Sequence, residues 1–165
     1  MTASSALTIR PATPADTAQV LDYIKGLADY EKLSHEVVAT EEAITASLFG
    51  ERPDAAVLMA EWNGEPAGFA LYHFMYSTFI ARSGMYLEDL FVKPEYRGHG
   101  IGTALLVQLA KVAVDDGHCR LDWSCLTWNE PSLNFYRGIG AREMDDWVRL
   151  RLDGDALAAL AKRGA

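Results

Sequence analysis

The rhythm of apolar and polar positions changes along this chain, and each change marks an element. "LTIRPAT", Leu7 to Thr13, alternates apolar and polar residues and stops at Pro11, which predicts a first strand. "TPADTAQVLDYIKGLADYEKL" then spaces Ala18, Leu21, Ile24, Leu27 and Ala28 at the helical period. Thr13 is placed to cap that helix, Pro14 suits its first turn, and Asp16 favours its positive end. A second helix starts at Thr40, with Glu41 and Glu42 in its first turn, and runs to about Phe49 before Gly50. Two β-rich runs in "AAVLMAEWNGEPAGFALYHFMY" are joined by Asn63-Gly64, a hairpin signal because both residues tolerate positive φ. "GMYLEDLFV" is a further strand, ended by Pro94, which cannot donate to a ladder.

A helix from Thr103 to about Asp116 follows, closed by Gly117. Lys111 is its one charge between Thr103 and Val114, so the helix is expected to be buried. "CRLDWSCL" reads as a strand, and "NEPSLNFYRGIG" as a short helix with Asn129 as N-cap and Pro131 in its first turn. "AREMDDWVRLRL" reads as a last strand or hairpin, and Asp153 to Lys162 as a tail helix. The order is βααβββαβαβ with a tail: an α/β (α+β) chain with a mixed, mostly antiparallel sheet flanked by helices. There is no repeat or flexible linker, so a single domain is expected over residues 1–165.

Composition narrows the function. With 165 residues, half of them apolar, the chain can bury a sizeable core. A formal net charge of -8 argues against a nucleic-acid partner and favours cationic ones. No apolar run approaches the ~20 residues of a membrane span, and "MTASSALTIRP" lacks the basic start and apolar segment of an export signal. Cys119 and Cys125 are too few for a disulfide framework and lack metal-ligand spacing. They are expected reduced in a core strand, with no metal and a cytoplasmic address.

One stretch asks for a ligand. "EYRGHGIGTALL", Glu95 to Leu106, places Gly98, Gly100 and Gly102 at the mouth of the third long helix. Unpaired amides at a helix start sit in its positive dipole and bind anions, and glycines let the anion approach the backbone. A Walker loop would need a lysine after the last glycine, and a dinucleotide fingerprint would need G-x-G-x-x-G after a first strand. Neither is present.

The segment instead resembles the R/Q-x-x-G-x-G/A loop of the GNAT superfamily of acyl-CoA N-acyltransferases. "YLEDLFV", "YRGHGIG" and "WNEPSLNFYRGIGA", with "LADYEKL" upstream, resemble its diamine branch, the spermidine/spermine and thialysine N-acetyltransferases. The likeness runs from about Leu7 to Leu160. It implies that the amides of Arg97, Gly98, His99, Gly100, Ile101, Gly102 and Thr103 cradle the pyrophosphate of acetyl-CoA. It also implies that the backbone of Leu90, Phe91 and Val92 pairs with the pantetheine arm as if with another strand, and that the enzyme is a homodimer.

Acetyl transfer to an amine needs a proton acceptor, because an alkylamine titrating near 10.4 has its lone pair in only about one molecule in 10³ at pH 7. Glu88 and Asp89 are adjacent acids in an apolar strand, where alternation would drive one into the core. A bulge or cleft is therefore expected there. The resemblance gives Glu88 the role of anchor and water-mediated base. It gives Tyr136 that of general acid to the leaving thiolate, and puts Asn129 and Ser132 on the cofactor. Helical steps of ~100° place Asn129, Ser132 and Tyr136 on one face, with Phe135 pointing elsewhere as a core anchor. Tyr30, Glu31, Asp89, Asp122, Trp123 and Ser124 match the family's amine-contact region. The chain departs from the polyamine enzymes at Leu126-Thr127, where they carry an acidic residue before "WNEP". His73, His99 and Cys119 have no partners at useful spacing and read as structural or surface residues. The implied reaction is acetyl transfer to a small primary amine by direct attack in a ternary complex. The alternatives are a non-catalytic acyl-CoA sensor and a GNAT enzyme acting on a protein lysine or an antibiotic.

Overall fold

Local chain chemistry sets most element boundaries in the computed structural model, which describes residues 6–164. The reading of Met1–Ser5 as part of a start without an export signal lies outside those residues. Strand β1 (Leu7–Pro11) leads through a single 3-10 turn, Pro14–Asp16, into α1 (Thr17–Tyr30). The Asp16 carboxylate accepts from the Thr13 N–H at 2.7 Å and from the Thr13 hydroxyl at 3.0 Å, fixing that entry. Arg10 forks onto the same carboxylate at 2.8 and 2.9 Å and holds it well below the usual carboxylate range. Helix α2 (Glu41–Phe49) is capped by the Thr40 hydroxyl, which accepts from the Ala43 N–H at 3.2 Å.

Asn63 and Gly64, at φ 53° and 85°, close the predicted hairpin between β2 (Ala56–Trp62) and β3 (Glu65–Ser77). Strand β4 (Arg82–Val92), helix α3 (Ile101–Asp115) and strand β5 (Leu121–Trp123) follow. The sheet order is β1-β2-β3-β4-β5, antiparallel except for the parallel pair β4–β5. On one face, Val20, Leu21 and Tyr23 of α1 join Ile44 and Leu48 of α2 against Val57, Met59, Phe69 and Phe91 of the sheet. Helix α3 also packs on the sheet, with Leu105 and Leu109 fully buried. It is buried on one side only: Val107 and Val114 stand exposed.

The chain divides into two compact units, Met1–Leu126 and Thr127–Ala165. The second contains α4 (Glu130–Gly138) and α5 (Gly154–Ala161), the latter matching the expected tail helix. Two further expectations fail. Strand β5 is short, so Cys119 and Cys125 flank it at intermediate exposure rather than lying inside a core strand. The segment "AREMDDWVRLRL" forms no strand. Alternation yields a strand only where a neighbour takes up the backbone hydrogen bonds, and no described strand pairs with this one.

Candidate active site

The two adjacent acids of β4 sit where the sheet ladder breaks. Strands β3 and β4 pair as Leu71↔Asp89 and then as Tyr72↔Leu87, which leaves Glu88 as an extra residue on β4. Cross-strand partners share a face. Asp89 thus lies with Leu71, Phe69 and Phe91 on the α1 side, and Leu87 lies with Tyr72 on the other. Glu88 reaches His73, two residues beyond Leu71 and on the same face, with Oε2 3.2 Å from Nε2. Both acids therefore stand on the α1 side. The expected bulge is present, and Leu87, 1% exposed, takes the place in the core that a regular strand would have forced on a charged residue.

Charge accumulates around the bulge. Burial, then the nearby charges of Glu88 and Glu31, push the half-buried Asp89 carboxyl up to about 6. Glu31 closes the C-terminus of α1, and burial pushes its carboxyl up as well. Burial and the charge of Glu31 push the Cys125 thiol up.

The other expected amine contacts divide. Tyr30 ends α1 beneath the Arg97 guanidinium, 5.4 Å from ring centroid to charge, and Arg97 also lies 5.8 Å from the Phe91 ring. The Nε–H of Arg97 donates to the Val92 carbonyl at 3.0 Å, so this side chain ties the glycine loop to α1 and β4. Asp122 is already engaged by Arg120 at 2.8 Å. Trp123 pairs with Leu87, and the Ser124 hydroxyl hydrogen-bonds that of Tyr86.

His73 is the residue that sequence spacing missed. Its ring stacks on Tyr86, centroids 5.1 Å apart, while Nε2 meets Glu88. Fifteen residues separate His73 from Glu88, and only the bulged pairing of β3 with β4 joins them.

The glycine loop has the expected geometry with one correction. Gly98 and Gly100 adopt φ of 81° and 76°, a region side chains avoid, and a Cβ at either would meet nothing within 4 Å. Gly100 caps α3, which begins at Ile101 rather than Thr103. The first helical bond runs from the Ala104 N–H to the Gly100 carbonyl, so the amides of Ile101, Gly102 and Thr103 precede the ladder. The Arg97 amide is engaged by the Pro94 carbonyl at 3.2 Å, so the available donors start at Gly98. The His99 ring turns toward Trp62, 4.8 Å between centroids, in keeping with a structural side chain. Since β5 ends opposite Leu87, Leu90, Phe91 and Val92 have a strand neighbour on the β3 side only, among the described residues.

In the second unit, Ser132 and Tyr136 lie one turn apart on α4, and Asn129 is its buried N-cap residue. Arg137 steadies this helix by bonding Glu130 at 2.8 Å and Glu143 at 2.7 Å. Phe135 is 36% exposed and lies beside the Tyr136 ring at 5.4 Å, so it is not the core anchor expected of it.

The profile of the Acetyltransferase (GNAT) family matches residues 24–141. The chain belongs to that family. This GNAT chain is 42% identical over 164 residues to the thialysine N-epsilon-acetyltransferase of Sus scrofa, covering 93% of this chain and 96% of the relative. It is 32% identical to an L-ornithine N5-acetyltransferase of Arabidopsis thaliana, covering 93% and 87%. Among solved structures, an integron cassette protein from the mobile metagenome of V. cholerae superposes with a TM-score of 0.81 at 28% identity, covering 96% of this chain and 99% of that one. An aminoglycoside acetyltransferase from an uncultured soil metagenomic sample superposes with a TM-score of 0.76 at 16% identity, covering 91% and 97%, and shares the fold. The chain is accordingly an N-acetyltransferase.

GNAT enzymes take their acyl group from acetyl-CoA. The residues present fit that donor. Gly98 and Gly100 border open space at a helix mouth, the amides of Ile101, Gly102 and Thr103 precede the helical ladder, and no described strand pairs with the β4 backbone beyond Leu87 on its β5 side.

Proposed function

We propose that this GNAT enzyme acetylates a primary amine of a small molecule: a diamine, a polyamine or an amino acid with a side-chain amine. One observation carries the reading. Glu31, Glu88 and Asp89 gather at the bulge, and Asp89 is held against desolvation and two like charges. A substrate ammonium is the partner that such a concentration of carboxylates favours. Glu88 anchors the amine and draws off its proton through water, with Tyr30, Glu31, Asp89, Asp122, Trp123 and Ser124 around the substrate. The acyl carbonyl rests on backbone N–H near Leu90. The amides of Gly98 to Thr103 and the backbone of Leu90 to Val92 hold acetyl-CoA, with Asn129 and Ser132 beside it and Arg97 bracing the loop. Tyr136 protonates the departing thiolate. The names of the thialysine and ornithine relatives support an amino-acid side-chain amine, and Leu126-Thr127 weighs against long polyamines.

Residues 1–165 act as one catalytic domain. The enzyme works as a homodimer: Val148, Leu150 and Leu152 alternate with arginines at exposed positions, a pattern that pairing with a second copy would cover. Two free cysteines accord with a reducing, cytoplasmic setting.

The test is coenzyme A release from acetyl-CoA across a panel of diamines, basic amino acids, and neutral and acidic amines. Cationic amines with a second charged group should turn over best. Glu88→Gln should lower their kcat/KM by about 10²-fold while acetyl-CoA still binds. Binding of acetyl-CoA without turnover of any amine would support the sensor reading instead.

A further inference from the structure

Beside the acid cluster stands an imidazole that the roles above leave unused. His73 Nε2 lies 3.2 Å from Glu88 Oε2, and the ring is held flat against Tyr86 with an interplanar angle of 26°. Tyr86 is fixed in turn through its hydroxyl to Ser124. The imidazole is thus locked in place by a stack on one side and the carboxylate at its edge, while its side chain remains 37% exposed. Its Nδ1 lies 3.5 Å from the Phe74 carbonyl oxygen; in the tautomer whose Nδ1–H donates to that oxygen, Nε2 is free to accept from Glu88 once the Glu88 carboxylate has taken up a proton.

We infer that His73 is the proton outlet of this acetyltransferase, taking from Glu88 the proton that Glu88 draws off the amine. The inference rests on the amine-acetylating reading. An N–H bond of the bound ammonium breaks and its electron pair stays on nitrogen as the nucleophile. The proton passes through water to Glu88 and on to His73 Nε2, and the exposed ring releases it to solvent. A carboxylate alone holds a proton too weakly to drain an alkylammonium, whereas an imidazole exchanges protons with water in the neutral range. His73 touches Glu88 rather than the substrate, so it is a positioning and relay residue. The side chains of β4 that meet it are Glu88 at its edge and Tyr86 on its face, with Asp89 across the bulge.

The experiment compares wild type with His73→Phe, which keeps a ring on Tyr86, and His73→Gln, which keeps a polar group beside Glu88 without a titrating one. Both variants should lose about tenfold in kcat at pH 7 on the best amine. The deficit should shrink as pH rises and the amine deprotonates unaided, and added imidazole buffer should restore part of the rate. Nitrogen NMR of the His73 ring should show a titration that moves in Glu88→Gln, a readout independent of turnover. If His73→Phe follows the wild-type rate–pH curve and ignores imidazole, the relay is wrong while amine acetylation stands. If wild type turns over no amine, the relay falls with the reading beneath it, even should the ring titration respond to Glu88.

Discussion

Leu87 and Asp89 lie two residues apart on one strand and face opposite sides of the sheet, because Glu88 between them is a bulge. A regular strand would put 87 and 89 on the same side. The inserted residue lets Leu87 fill the core and turns two successive carboxylates toward α1. A hydrophobic strand thereby carries an acidic site with Leu87, rather than Glu88, in the core.

That arrangement is paid for in stability. The folded chain binds the Asp89 proton up to about pH 6, while the unfolded chain releases it near 3.8. Between those values the folded state holds more protons, so this group's contribution to stability falls as pH rises and is fully unfavourable above pH 6. Asp89→Asn should raise the urea midpoint at pH 7.5 by the equivalent of about 1–3 kcal/mol, and the two proteins should converge near pH 4. The same variant should bind the amine more weakly. Equal midpoints at pH 7.5 would mean that Asp89 is not desolvated.

Gly100 owes its identity to backbone conformation. At φ 76°, with room for a Cβ, Gly100→Ala should cost about 1–2 kcal/mol from left-handed strain alone. Gly100→Asn should be milder, because asparagine tolerates that region. Thermal melts with and without coenzyme A check both: the alanine variant should lose more of the ligand-induced shift.

The Tyr23 hydroxyl is buried without a hydrogen-bond partner, and burial pushes its titration up. Its ring contacts with Phe69 at 5.2 Å and Phe91 at 5.9 Å do not need the oxygen. Tyr23→Phe should therefore stabilise the fold by about 1 kcal/mol in chemical denaturation. A loss of stability would reveal a water bound at that oxygen.

Tyr136→Phe tests the thiolate donor. It should lower kcat by about 10²-fold and leave the acetyl-CoA Kd within about twofold, since the change removes one proton donor and little contact area. A variant matching wild type at saturating substrate would end the general-acid assignment.

Much of this chemistry was legible along the chain. The Thr13–Asp16 entry, the Asn63-Gly64 hairpin, the glycines at the mouth of α3 and the shared face of Ser132 and Tyr136 depend on residues within a few positions of one another. Backbone preferences and helical periodicity act at that range, so the sequence by itself determined them, and the awkward Glu88-Asp89 pair announced its bulge. What that bulge brings together was decided by tertiary structure. The meeting of His73 with Glu88, the loss of Asp122 to Arg120 and the seat of Arg97 over Tyr30 depend on strand register and helix placement. The same holds for the segment after α4, whose alternation predicts a strand but finds no partner among the described strands. Local propensity fixes how a segment can bend, whereas pairing and charge neutralisation depend on which distant segment arrives beside it.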